Sequence, residues 1–186
     1  MGQAKNRKVE IDAMKLSGDT YESKINRSKD RIRKNGEIFT PTALVRDVLN
    51  ALPQDSFKDP KKTFLDPACG DGQFLIEVLG RKMEHTDPLT ALKTTFGVDI
   101  MASNVVATRN RLVTYIMNNT VVVDTTVPHL PDLSDLVTDE DVKSGKKFMV
   151  MPGSRKDFQD MLYMIVSNQI KQADFLNTDV SKLFAR

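Results

Sequence analysis

Three aspartates and two glycines are the residues of this chain whose types and spacing could do chemistry. Asp66 precedes Pro67-Ala68-Cys69-Gly70-Asp71-Gly72, Asp99 closes Gly97-Val98-Asp99, and Asp174 stands in Ala173-Asp174-Phe175-Leu176. Each lies at or near the end of a short stretch that reads as a strand. A carboxylate there accepts hydrogens from hydroxyl or amine groups. A Gly-x-Gly turn lets backbone approach a ligand closely, and the helix N-terminus behind it favours an anionic group. The run Thr63 to Gly72 therefore reads as strand, turn and helix start, the floor of a nucleotide-type cofactor site. A dinucleotide fingerprint needs a third glycine where Leu75 stands, and a P-loop needs Gly-Lys-Ser/Thr, which this sequence does not contain.

The elements that must hold these residues alternate. Asp19-Thr20-Tyr21-Glu22 reads as a capping box for a helix to about Lys34, stopped by Asn35-Gly36, with a thin apolar stripe of Tyr21, Ile25 and Ile32. Thr40-Pro41 starts a second helix with Leu44, Val45, Val48, Leu49 and Leu52 on its buried face. Pro53 to Lys62 reads as a linker. A strand at 63–66, a helix to about Met83 with Phe74, Leu75, Val78 and Leu79 inward, a strand at 94–99 and a helix over 102–118 follow. Residues 121–123 and 148–151 read as short strands around an acidic, exposed loop holding Asp132, Asp135, Asp139, Glu140 and Asp141. Ser154, with Asp157 three residues on, caps a helix burying Phe158, Met161, Leu162, Ile165 and Val166, and a last strand runs from Lys171 to Leu176. This alternation predicts an α/β domain with a largely parallel sheet, whose ligand sits at the carboxyl ends of the strands.

Composition limits the class. Hydrophobic residues are 40% and charged residues 28% of 186 residues, the mixture of a soluble globular domain rather than a disordered chain. Cys69 is the single cysteine, so no disulfide framework is expected, and His85 and His129 have no zinc-ligand spacing. No apolar run approaches the roughly 18 residues of a membrane span, and the N-terminus has no signal-peptide core. Residues 1–34 carry ten Lys/Arg against five Asp/Glu, whereas the remainder is slightly acidic. That basic arm reads either as a phosphate-attracting segment or as a solvated face. The acidic loop reads as solvated, with DNA mimicry as the other reading.

The acidic residue at the end of the first strand, followed by Gly-x-Gly, resembles motif I of class I S-adenosylmethionine-dependent methyltransferases. The spelling Asp-Pro-Ala-Cys-Gly-Asp-Gly resembles the DNA adenine-N6 branch. Gly36-Glu37-Ile38-Phe39-Thr40-Pro41 is similar to that family's upstream Phe-Thr-Pro motif, and Gly97-Val98-Asp99-Ile100 and Ala173-Asp174-Phe175-Leu176 to its motifs after strands two and three. The resemblance covers about residues 36–177 and implies a Rossmann-like methyltransferase fold. It implies S-adenosylmethionine contacts at Phe39, Thr40, Pro41, Asp66, Ala68, Gly70, Gly72, Phe74, Asp99, Ile100, Asp174 and Phe175. In that scheme Asp66 lies nearest the methionine ammonium and Thr40 bonds the carboxylate. Asp99 takes the ribose hydroxyls and Asp174 the adenine amine, with Ile100 and Phe175 around the ring. Phe175 taken alone reads as core. Cys69 lacks a Pro-Cys context and reads as a small buried turn residue, not a nucleophile.

The family's Asn/Asp-Pro-Pro-aromatic loop should follow strand four, soon after Asn177. None of the eight prolines here are adjacent, and the sequence stops at Arg186. The expectation is therefore a parallel sheet truncated after its third strand, preceded by an N-terminal helical arm. The domains would be the basic arm at 1–35 and a cofactor-binding domain at 36–186. Strand one would be left with an open edge. The segments at 121–123 and 148–151, a second copy of the chain, or a separate partner chain would have to cover it. No catalytic residue and no metal ligand is assigned. The functional expectation is a partial or partner-dependent DNA adenine-N6 methyltransferase of the short phage and mobile-element kind, in the cytoplasm of a prokaryotic or phage-infected cell. The other reading is a catalytically inactive S-adenosylmethionine-binding protein with a regulatory, structural or anti-restriction role. DNA contact would run through the basic arm.

Overall fold

The computed structural model describes residues 40–127 and 137–184. The chain divides into two compact units, residues 1–52 and 53–186. Of the first unit only 40–52 are described, so the expected helix at 19–34, the domain border at 35 and Phe39 lie outside the described residues. Helix α1 runs from Thr42 to Asn50. Its N-cap is Pro41 rather than Thr40, in an extended conformation and without a side-chain cap bond. Val45 and Leu49 are buried, while Leu44 and Val48 are exposed.

The second unit holds the α/β alternation: α2 (Asp55–Lys58), β1 (Phe64–Asp66), α3 (Gln73–His85), α4 (Pro88–Lys93), β2 (Thr95–Asp99) and α5 (Ala102–Asn118), then β3 (Thr120–Asp124), α6 (Asp139–Lys143), β4 (Lys147–Met151), α7 (Arg155–Gln169), β5 (Ile170–Gln172), a 3-10 turn (Phe175–Asn177) and α8 (Val180–Leu183). The expected linker at 53–62 is a packed piece. Phe57 of α2 stacks on Phe64 of β1 at 4.8 Å, and the Arg81 guanidinium lies 5.3 Å from the Phe57 ring centroid. Lys82, wholly buried, donates to the carbonyls of Asp59 and Lys62 at 3.1 and 2.8 Å. That ammonium replaces its lost hydration with two carbonyls, and burial still lowers its pKa.

β1, β2 and β5 form one parallel sheet in the order β1-β2-β5, with Asp66 opposite Gly97 and Asp99 opposite Gln172. One sheet face is closed tightly. A Cβ on Gly97 would lie 2.6 Å from Leu75 Cδ1 and 3.1 Å from Cys69 Sγ, so only glycine lets α3 pack this close. The core behind it joins Leu75, Leu79, Leu112, Val113, Ile116, Phe158, Leu162, Val166 and Ile170. Burying each such side chain stabilises by about 1.5–3 kcal/mol. Helix α5 buries Val105, Leu112, Val113, Ile116 and Met117, α7 buries Phe158, Leu162 and Val166 of its predicted face with Met161 and Ile165 partly buried, and Ser154 and Asp157 form the expected capping box.

Two expectations are corrected. β3 and β4 pair with each other, in parallel, as a separate two-stranded sheet, and do not cover β1. Among the described residues β1 pairs on one side only, and Leu65 in it is 42% exposed. The third strand stops at Gln172 instead of Leu176, because Asp174 accepts from the Leu176 amide at 3.1 Å and from Asn177 at 2.7 Å and turns the backbone into the 3-10 turn. Part of the acidic loop is also structured. Asp139, Glu140 and Asp141 occupy the first turn of α6, where negative charge suits the helix dipole. Lys146 and Thr138 hold the Asp141 carboxyl at about 2.

Candidate cofactor site

The turn between β1 and α3 is built by the carboxyl ends of two adjacent strands. The Cys69 amide donates to Val98 O at 2.9 Å, which lashes the turn to β2. The Gly70 amide donates to Asp99 Oδ2 at 2.9 Å. The other Asp99 oxygen accepts from the Met101 amide at 2.8 Å and from Asn104 Nδ2 at 3.2 Å. Gly70 and Gly72 have φ of 54° and 89°, the left-handed region where glycine is unstrained. Gly72 caps α3, and its missing Cβ makes room for Thr108, whose Cγ2 would be 2.9 Å away.

Asp66 is half-buried, and its Oδ1 accepts from the Ala68 amide at 3.1 Å. Desolvation, with the charge of Asp99 nearby, raises its pKa against that hydrogen bond. No ion pair to Asp66 occurs among the described residues. Burial, then Asp66 and Asp99, push the Cys69 thiol up to about 12. Cys69 is thus a thiol at neutral pH and fills space, as its context suggested.

A turn of this shape at the head of a helix, between acidic strand tips, suits a nucleotide-type ligand. The profile of the N-6 DNA methylase family matches residues 12–168. The chain belongs to the N-6 DNA methylase family. A stretch of 63 residues is 38% identical to the type II methyltransferase M.VspI of a Vibrio species, covering 34% of this chain and 14% of that protein. Another alignment, of 69 residues, is 39% identical to the type I restriction enzyme MjaVII methylase subunit of Methanocaldococcus jannaschii, covering 37% of this chain and 11% of that protein. The aligned part is therefore a small fraction of each relative. No solved structure matches significantly.

Among the expected contact residues of this family member, Asp66, Ala68, Gly70, Gly72 and Asp99 come together at the tips of β1 and β2. Phe74 lies half-buried in the first turn of α3. Ile100 follows Asp99 and is 62% exposed. The third strand tip is tied to the second, since Ala173 N donates to Asp99 O at 3.1 Å and Gln172 Nε2 to Ile100 O at 3.1 Å. This brings Asp174 and half-buried Phe175 just beyond that junction. Thr40 and Pro41 belong to the first unit. Sequence reasoning missed Asn104, Thr108 and Arg111, which α5 aims at the turn. Polar residues inside that helix's apolar stripe were the available signal.

A cavity of about 500 Å³ lined by Phe96, Lys93, Lys171, Gln169, Ile165 and Phe184 shares no residue with this site.

Proposed function

We propose that this chain binds S-adenosylmethionine as the cofactor-holding part of a DNA adenine-N6 methyltransferase, completed by another chain. The observation that carries this reading is Asp66: a half-buried carboxylate of raised pKa, without a cation among the described residues, beside a glycine turn. An ammonium group suits that carboxylate because it would restore the charge balance that burial disturbs. Asp66 would hold the methionine ammonium, Thr40 its carboxylate, Asp99 the ribose and Asp174 the adenine amine. Ala68, Gly70 and Gly72 would offer close-lying backbone. Phe39 and Pro41 would close over the methionine end, Phe74 would line the pocket, and Ile100 and Phe175 would flank the base. The bound molecule supplies an activated methyl group; the chain's own residues bind and orient it.

Three of the four lone-pair positions of Asp99 are engaged within the protein, which leaves one directed elsewhere. That favours a single strong bond to a ribose hydroxyl rather than two. β1 pairs on one side only among the described residues, which supports a completing chain, since such a parallel edge invites a strand. The relative named as a methylase subunit is in keeping with this. DNA contact is assigned to the basic arm at 1–34.

Calorimetry with S-adenosylmethionine and S-adenosylhomocysteine tests the reading. Binding of either in the micromolar range is expected, and absence of both overturns it. Tritium transfer from the cofactor to DNA by the chain alone would overturn the need for a second chain. Binding without transfer in any mixture would favour the inactive reading.

A further inference from the structure

Helix α5 grips the glycine turn through one polar stripe. Asn104, Thr108 and Arg111 follow the i, i+4, i+7 spacing that puts side chains on one helix face. Asn104 braces Asp99, which holds the Gly70 amide. Thr108 donates to Gly70 O at 2.9 Å. Arg111 donates to Asp71 O at 3.0 Å and to Gln73 Oε1 at 2.8 Å, and lies 3.3 Å from Asp71 Oδ1. Its guanidinium therefore clamps the residues on both sides of Gly72. Gln73 is the first residue of α3, so the same clamp sets where that helix begins.

We propose that Arg111 is the positioning residue of this site, holding the turn through Asp71 and Gln73 in the shape that admits the cofactor without touching the cofactor itself. The inference rests on the cofactor reading above. The guanidinium is taken up by protein oxygens of the turn and of α3, and Arg111 and Asp71 are 8% and 5% exposed. A planar fork with five donors can span carbonyl, carboxylate and amide oxygens together, which a lysine ammonium on a flexible stem does less well. A buried guanidinium facing a buried carboxylate also makes the pair sensitive to loss of either partner. The turn's left-handed glycines are free to take other conformations unless something fixes them, and the α5 stripe supplies that restraint.

The test uses the full chain with Arg111→Met, Arg111→Lys and, as a control of similar melting temperature, Val166→Ala in the core away from the turn. Two readouts are taken: calorimetric affinity for S-adenosylhomocysteine and amide hydrogen exchange over residues 69–73 in ligand-free protein. Arg111→Met is expected to weaken binding at least tenfold and to speed exchange in the turn at least tenfold over that in α7. Arg111→Lys should fall between, and Val166→Ala should leave both near the unaltered values. Unaltered affinity in both Arg111 variants, or exchange that rises equally in the turn and in α7, overturns the proposal. Failure of the unaltered chain to bind would instead overturn the cofactor reading, and turn exchange would then still decide whether Arg111 holds the loop.

Discussion

The carboxylate of Asp99 and the amide of Gly70, 29 residues apart, are joined by a hydrogen bond of 2.9 Å. The residue assigned to the ribose is thus also the staple of the glycine turn. Asp99→Ala is expected to weaken S-adenosylmethionine binding by about 1.5–3 kcal/mol, the value of hydrogen bonds to a charged group. It should also lower the melting temperature by several degrees, because the Gly70 and Met101 amides lose their acceptor. Calorimetry and thermal denaturation of the same sample separate the two effects. Unchanged affinity would remove Asp99 from the site.

Gly72→Ala and Gly70→Ala should differ. Both would place a side chain at positive φ, a strain of about 1–2 kcal/mol. At Gly72 the new methyl also meets Thr108 at 2.9 Å, whereas nothing lies within 4 Å at Gly70. Urea denaturation should find Gly72→Ala the less stable by at least about 1 kcal/mol. Equal losses would show that the Thr108 contact relaxes freely.

Asp66→Asn should stabilise the ligand-free protein while weakening cofactor binding tenfold or more. The folded-state pKa of Asp66 is raised above 3.8. Its carboxyl therefore costs nothing below pH 3.8, where folded and unfolded chains are both protonated. The penalty grows as pH rises above 3.8 and is complete once pH exceeds the folded value. The asparagine variant's advantage in melting temperature should be larger at pH 7 than at pH 4 and vanish below pH 3.8. An advantage independent of pH would assign the effect to something other than ionisation.

Lys82→Ala should cost about 3–5 kcal/mol, since it empties a buried volume and orphans two carbonyls that now share one ammonium. Lys82→Met restores the volume but not the donors, so it should recover part of that loss. Equilibrium unfolding of both variants checks this. A methionine variant as stable as the unaltered chain would mean that water can replace the ammonium.

Cys69 should resist alkylation. With its thiol held up at about 12 and its side chain 4% exposed, iodoacetamide at pH 8 should label native protein many times more slowly than denatured protein. Fast native labelling would mean that the turn opens often.

The turn and its flanking strands were legible because each rests on local chemistry. Asp66 to Gly72 carries its own glycines, and Ser154 with Asp157 forms its own cap. Helix α4 was not anticipated, although it carries a local signal: Asp87 accepts from the amides of Leu89 and Thr90 just before Pro88. The packed stretch at 53–62 was not legible, because it depends on Phe57 meeting Phe64 and on Lys82 reaching back 20 and 23 residues. The short third strand was misread because the run Lys171 to Leu176 does not by itself reveal a side chain such as Asp174 capturing its own backbone. Of the candidate site, the acceptors at strand tips were readable from sequence, but the α5 residues that brace them were not. Thr108 and Arg111 look like ordinary breaks in an apolar stripe until the turn they meet is in place.

The stripe on α5 has a consequence for the order of folding. Its bonds to the turn span 38 and 40 residues. Helices α3 and α5 can each form early from near neighbours, but closing loops of that length waits on chain entropy. The glycine turn should therefore take its final shape only after α5 has docked. A nascent chain that has not yet exposed Arg111 would carry every expected contact of motif I and still lack the folded turn that presents them.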